Sequence, residues 1–192
     1  MTQDASGPNI TSPLFRLLNA PMRPGIVRWI GLRPGRRQPL AAVLHADLDP
    51  ERGLIGDHYR SRTNKARQVT LIQSEHLPAV AAYLGTGPID PDRLRRNIVV
   101  SGINLHALKN QRFVLGSALL VATGECHPCS RMEEIFGPGG YNAVRGHGGI
   151  TARIVRAGQV HLGDAIIRQD VPPCHCEKPG DEAISRLDLR EH

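Results

Sequence analysis

The sequence predicts a mainly β domain: a closed or partly open β-barrel core with a few peripheral α-helices. Three observations carry that expectation. Short β-rich runs follow one another with Gly, Pro, Asn and Asp between them. Helix signals are confined to a few stretches. Two glycine corners echo each other, "VLGSALL" at Val114 to Leu120 and "HLGDAII" at His161 to Ile167, each of them an apolar residue, Gly, a small polar residue, Ala and two aliphatics. Such corners are what a closed or strongly bent sheet needs where one strand hands over to the next.

The elements follow in order. Residues 1–22 are mixed polar and Pro-containing without periodicity, and read as a flexible N-terminal arm. From "GIVRWIGLRP" onward the expected strands are Ile26 to Leu32, Leu40 to Leu48, Gln68 to Ile72, Asn97 to Val100, Arg112 to Leu115, Ala118 to Thr123, Ile150 to Val155 and Ala165 to Arg168. One helix is expected over Ser74 to Leu84, with Ser74 as N-cap, Pro78 in its first turn and Gly85 closing it. A second begins at Ser130, where "SRME" has the spacing of a capping box, and ends at Gly137-Pro138. The barrel domain is expected over 23–170. The tail 171–192, with its leading prolines, reads as an appendage carrying at most a short helix from Asp181 to Leu189.

Composition bounds the function. The chain of 192 residues suits one domain with its own core, and with aromatics at 4% that core must be aliphatic. No window approaches the roughly 18 apolar residues of a membrane helix, and the N-terminus lacks the regions of a signal peptide, so a cytoplasmic, reduced protein with no membrane partner is expected. In that compartment the four cysteines are thiols or metal ligands rather than disulfides. Lys and Arg exceed Asp and Glu by 24 to 18, a net charge of +6 that favours anionic partners. Nucleic acid is not the expected one, because no ladder of aromatics accompanies the arginines.

The chemistry concentrates in "GECHPCSRMEEIFG", Gly124 to Gly137, where Cys126 and Cys129 form a Cys-x-x-Cys pair. Such a pair can be half a zinc site, a dithiol couple, or one working thiolate with a neighbour. Cys129 directly precedes the expected helix start, and the orphan amides, the helix dipole, His127 and Arg131 all favour a thiolate there. The zinc alternative joins Cys126 and Cys129 to Cys174 and Cys176, whose Cys-x-Cys spacing is unusual for zinc. It makes the protein a zinc-stabilised, non-catalytic binding module with a basic nucleic-acid-binding surface. A thioredoxin-type dithiol does not suit the surroundings, because no βαβ pattern flanks the pair.

Five pieces in order, "GLIGDHY", "RQVTLIQSEHL", "LRRNIVVSGINLHAL", "RFVLGSALLVATGECHPCSRM" and "GHGGITARIVRAGQVHLGDAI", resemble the MOSC domain, named for the C-terminal domain of molybdenum cofactor sulfurases. The resemblance covers roughly Arg23 to Arg168. It implies a barrel-like fold and one important cysteine, here Cys129 of "HPCSRM". That thiol is expected to carry sulfur as a persulfide received from a cysteine desulfurase, or to face molybdenum in a molybdenum–pterin cofactor of members that reduce N-hydroxylated small-molecule substrates. Pyridoxal phosphate, which accompanies the family's description, is expected to belong to a desulfurase domain fused to some members, for which this chain has no room. The stretch "HYRSRTNKARQ" departs from the Gly-Gly-Pro-rich, His-containing sequence of many bacterial relatives, so their substrates do not carry over.

Around Cys129 the candidate anion contacts are Lys65, Arg67, Arg96 and Arg145, since a pterin phosphate needs cationic donors. Asn97 stands where the family pattern has an Asn before an apolar residue, although an Asn there can also cap a turn. His147, in the glycine-rich "RGHGGI", and His58, after Gly56-Asp57, are further candidates. Cys126 is the candidate supporting or resolving thiol.

Overall fold

The computed structural model describes residues 12–59 and 64–169. In chain order these form α1 (Pro13–Leu18), β1 (Gly25–Leu32), β2 (Ala41–Ala42), β3 (His45–Asp49), β4 (Gly53–Leu54), β5 (Val69–Gln73), α2 (His76–Leu84), β6 (Ile98–Ser101), β7 (Arg112–Leu115), β8 (Ala118–Glu125), α3 (Arg131–Phe136), α4 (Gly140–Val144), β9 (Ile150–Arg156), β10 (Gly158–His161) and β11 (Ala165–Arg168). Short 3₁₀ turns lie at Pro91–Leu94 and Leu105–Leu108.

Seven strands close a barrel in the order β1, β11, β7, β8, β9, β5, β6 and back to β1, with β2 appended to the end of β1. Every barrel pairing is antiparallel except β5 with β6. A parallel neighbour requires a crossover rather than a hairpin, and α2 lies in the segment that makes it. The small sheet β10-β3-β4 contributes Ala46, Leu48, Leu54 and Val160 to the barrel core.

Strand sequences match the number of faces each strand buries. β7 and β11 bury alternate residues, with Phe113 and Leu115 on one and Ile166 and Arg168 on the other. β5 and β6 are buried on both faces. Leu71, Ile98 and Val100 point into the barrel, while Ile72 and Val99 join Val80, Leu94, Met132 and Val144 in a second cluster under the helices. This accounts for the nearly unbroken apolar runs of β5 and β6. Each fully buried side chain of this kind contributes about 1.5–3 kcal/mol of transfer free energy.

The mainly β barrel expected from the sequence is the fold observed. The two corners fall between strands, with Gly116 joining β7 to β8 and Gly163 joining β10 to β11, and they meet: Ser117 N–H donates to the Gln159 carbonyl at 2.9 Å and Gly116 N–H to the Ala165 carbonyl at 3.2 Å. Local details differ. The run Leu40 to Leu48 divides between β2 and β3, because the chain leaves β1's edge there to enter the small sheet. β4 and β10 escape a reading by pattern, being two residues long and nearly devoid of apolar residues respectively.

Within the stretch read as a flexible arm, residues 13–18 form α1, because the Ser12 hydroxyl accepts from the Phe15 amide and Pro13 presets the first turn. Arg168 fastens its C-terminal end by donating to the carbonyls of Leu18, Asn19 and Ala20. α2 starts after Glu75 rather than Ser74, whose hydroxyl donates to the Glu75 carboxylate at 3.2 Å. The capping box at Ser130 does not form. Ser130 is itself helical, without the extended backbone an N-cap hydroxyl needs, and Glu133 turns forward to accept from the amides of Gly139 and Tyr141, organising the start of α4. Among the described residues no helix is long and apolar enough to cross a membrane. Cys174, Cys176 and the helix expected over Asp181 to Leu189 lie outside the described residues.

Candidate functional site

One rim of the barrel gathers the polar residues. Ile30 of β1 pairs with Ile98 of β6, Ile98 with Leu71 of β5, Leu71 with Ile150 of β9, and Ile150 with Glu125 of β8. The ends of β1 and β8 therefore meet the starts of β6 and β9 beside the middle of β5. Residues just beyond those points, Arg33, Arg95 to Asn97 and Cys126 to Cys129, converge on a pocket of about 190 Å³. Arg67, Thr70 and Tyr59 complete one wall and Met132 of α3 another.

Asn97 is the hub of this rim. It is 6% exposed. Its amide nitrogen donates to Asp57 Oδ2 at 2.8 Å and to the Gly31 carbonyl at 3.3 Å, and its side-chain oxygen accepts from the Thr70 hydroxyl at 2.7 Å. Asp57, also buried, accepts from the amides of Arg33 and Tyr59 and pairs with the Arg33 guanidinium at 3.4 Å. A buried carboxylate is tolerable only when paired and hydrogen-bonded in this way. The Asn read as a possible turn cap instead ties β1, β5 and β6 together under the pocket.

Arg96 performs the matching task on the cysteine side. The side chain is buried and donates from Nε to the Gly148 carbonyl at 2.6 Å, from Nη1 to the Leu94 carbonyl at 2.9 Å and from Nη2 to the Cys126 carbonyl at 3.0 Å. It thus holds the cysteine loop against the loop entering β9. Glycine is required at that loop: a Cβ on Gly148 would stand 2.1 Å from the Cys126 carbonyl oxygen, and Gly149, at φ +77°, lies so close to β5 that a Cβ would meet the Leu71 carbonyl oxygen at 1.9 Å. Burial lowers the Arg96 pKa below the usual guanidinium value, opposed by the Cys126 sulfur and reinforced by Arg67.

The two cysteines occupy different environments. Cys126 is 2% exposed and accepts from Arg67 Nη2 at 3.6 Å through its sulfur, while its amide donates to the Gly149 carbonyl at 2.8 Å. Cys129 is exposed at the lip of the pocket, with its carbonyl accepting from the Met132 amide at 2.9 Å. α3 has only six residues, too short for a strong dipole, and the cations that line the pocket beside Cys129 are Arg33, Arg67, Arg95 and Arg96. Arg95 has its pKa lowered by burial and by the neighbouring charges of Arg33 and Arg131, with Cys129 and Asp57 acting in the opposite sense.

The structure brings together Cys126, His127, Cys129, Asn97, Arg67 and Arg96 from the residues singled out in the sequence. Five others do not line the pocket. Lys65 pairs with Glu51 at 2.5 Å, Arg131 pairs with Glu134 along its own helix, and Arg145 is exposed at the end of α4. His147 packs with His76, His106 and Tyr83 in a separate cluster, its ring edge-on to His76 at 4.9 Å. His58 uses its amide to bond the Arg33 carbonyl at 2.7 Å. Arg33, Arg95 and Tyr59 were missed. The available signal was position, since each of these residues lies just outside a strand end or beside the Gly56-Asp57 pair.

Among the described residues no cluster of three or more His, Cys, Asp or Glu side chains has the arrangement of a metal site. The zinc set read from the sequence needs Cys174 and Cys176, which are outside those residues.

Fold and pocket together define a small β-barrel protein with a cysteine loop and several arginines at one rim. The chain belongs to the MOSC domain family, whose model matches residues 56–167. The match begins after β1, which nevertheless closes the barrel between β6 and β11. The fold is similar to that of the crystal structure of the YuaD protein from Bacillus subtilis, at 22% identity and a TM-score of 0.66, covering 75% of this chain and 94% of that one. It is also similar to YiiM from Geobacillus stearothermophilus, at 16% identity and a TM-score of 0.63, covering 76% and 75% of the two chains. YiiM from Escherichia coli gives 16% identity and a TM-score of 0.57, covering 75% and 69%. No curated protein matches the chain.

Proposed function

We propose that this protein carries sulfur as a persulfide on Cys129, taken from a donor and passed to an acceptor. The observation that carries the reading is the exposure of Cys129 at the lip of a pocket lined by Arg33, Arg67, Arg95 and Arg96. A sulfur carrier needs a reachable thiolate, both to attack the donor's outer sulfur and to present that sulfur onward, and surrounding cations stabilise the persulfide anion. In this reading Cys126, buried with Arg67 against its sulfur, serves as a supporting thiol.

The donor is proposed to be a cysteine desulfurase. Intact mass measured after incubation with a desulfurase and cysteine tests this. Wild type and Cys126→Ser are expected to gain sulfur while Cys129→Ser does not; equal gain by Cys129→Ser would overturn the assignment.

A second reading is favoured by the pairing of a soft thiol with guanidiniums. Cys129 would face the metal of a molybdenum–pterin cofactor while Arg33, Arg67 and Arg95 hold its phosphate, and the group would supply the redox chemistry for reducing N-hydroxylated compounds. The donor set suits that group. A volume of about 190 Å³ encloses only part of it and leaves the remainder at the open mouth. Molybdenum retained in stoichiometric amount by protein purified without added donor, and lost in Cys129→Ser, would favour this reading over the carrier.

A further inference from the structure

We propose that the pocket takes a small anionic sulfane-sulfur compound, thiosulfate or an organic thiosulfonate, as a source of the sulfur placed on Cys129. The inference rests on the reading of Cys129 as a sulfur carrier and names the class of donor its pocket recognises.

Charge is the first argument. Among the described residues four guanidiniums line the pocket and no carboxylate does. Asp57, whose partners Asn97 and Arg33 line the pocket, is committed to them and to backbone amides, and Glu125 faces the His127 ring at 3.9 Å. The four cations are not equivalent. Arg96 is engaged with three carbonyls and serves the loop. Among the described residues Arg33 keeps a buried Nε without a hydrogen-bond partner, and a buried donor left unpaired is costly unless a ligand satisfies it. Arg95 is crowded by the charges of Arg33 and Arg131, an arrangement that an anion relieves. These groups form a site for more than one negative charge.

Size and position are the second argument. At about 190 Å³ the cavity lies below the roughly 300–1,000 Å³ of sites for drug-sized ligands, and suits a small oxyanion. Cys129 is exposed at the pocket, whereas Arg96 is buried and Arg33 and Arg95 are partly buried in its lining, so the anionic end of a bound thiosulfate lies among these arginines while its sulfane sulfur meets the thiol.

The chemistry balances without a further reagent. The Cys129 thiolate attacks the outer sulfur of thiosulfate, a new sulfur–sulfur bond forms to Cys129, and the original bond breaks with its electron pair leaving on sulfite. Thiolate and thiosulfate become persulfide and sulfite, with three negative charges on each side and no external oxidant or reductant. As the outer sulfur departs, charge grows on the leaving sulfite, where the guanidiniums stabilise it.

The test uses the full chain with thiosulfate as the probe, reading sulfite release and intact mass at several thiosulfate concentrations. Wild type is expected to release one sulfite per protein in a single turnover and to gain one sulfur on Cys129. Arg33→Met and Arg95→Asn are each expected to raise the half-saturating thiosulfate concentration at least about tenfold, the effect of losing one charge-assisted bond of about 1.4 kcal/mol or more. Arg95→Asn keeps a residue that tolerates the left-handed backbone at φ +58°, so it reports charge rather than folding. Arg145→Ala is the control and should match wild type. Sulfur loading by a desulfurase with no sulfite released from thiosulfate would overturn the anionic donor and leave the carrier standing. Loading by neither donor would overturn both readings; transfer from thiosulfate that is indifferent to Arg33 and Arg95 would overturn the recognition of the donor by this pocket.

Discussion

Consecutive carbonyls of one loop serve two contrasting regions. The His147 carbonyl faces the His76 ring at 3.3 Å in a cluster of histidines, whereas the Gly148 carbonyl accepts from Arg96 beneath the cysteine pocket at 2.6 Å. The histidine side is aromatic and partly buried, with the Nδ1 of His147 and the Nε2 of His106 lacking hydrogen-bond partners among the described residues. The arginine side is open at its lip and underpinned by the bonded side chains of Asn97 and Arg96, with Arg33 Nε unpaired among the described residues. Titratable residues are abundant in both, yet only one of them combines a nucleophile, a cavity and surrounding opposite charge. The difference teaches that side-chain chemistry in a glycine-rich loop is a poor guide to what the loop does, since this one supports the site through its backbone.

The largest effect separating the two regions should come from Arg96→Met. Three buried carbonyls would lose their donor, and at about 1–3 kcal/mol for each unsatisfied group the variant should lose several kcal/mol of stability in urea unfolding. Retention of the wild-type midpoint would show that water replaces the guanidinium and that Arg96 is no clamp.

Gly149→Ala ranks next. Its backbone conformation and the approach to Leu71 together should cost about 2 kcal/mol or more, again read from the urea midpoint. A loss no larger than that of an exposed substitution would mean that the loop shifts freely.

The histidine side predicts a pH effect. Burial lowers the His76 pKa below its ordinary 6.5; the bond to the His147 carbonyl and the charge of Glu75 oppose the shift, while the rings of His147 and His106 add to it. A histidine with a depressed folded pKa binds more protons when unfolded. Its contribution to stability is therefore fully present above pH 6.5 and is lost as pH falls through the folded value. His76→Gln should flatten the fall in stability as pH drops below 6.5, while leaving sulfur loading intact. An unchanged profile would show that this cluster does not titrate with folding.

The smallest effect belongs to Lys65→Ala and Arg145→Ala. Neither residue lines the pocket, so loading rates should stay within about twofold of wild type, a difference of less than 0.5 kcal/mol. A tenfold fall in either would extend the site beyond the rim described.

Much of the barrel was legible because strand sequences answer to the faces they bury. β7 and β11 carry the expected boundaries, since alternation and a flanking glycine fix both ends. α4 was not legible: five residues with glycine at the start have no periodicity, and Glu133, which organises them, reads locally as part of its own helix. In the pocket, Cys129, Cys126, Arg67, Arg96 and Asn97 were accessible from local chemistry or from the family pattern. Arg33 and Arg95 were not, because their place depends on the closure that sets the end of β1 beside the start of β6. Lys65 and Arg145 carried the right charge, but sequence proximity does not specify which way a side chain turns at a barrel rim.

The most direct test of the central claim is peptide mapping of wild-type protein after sulfur loading from a desulfurase, with the persulfide trapped by alkylation before digestion. The account predicts the added sulfur on Cys129, with Cys126 unmodified behind the loop. Added sulfur on Cys126, or distributed equally between the two thiols, would contradict it.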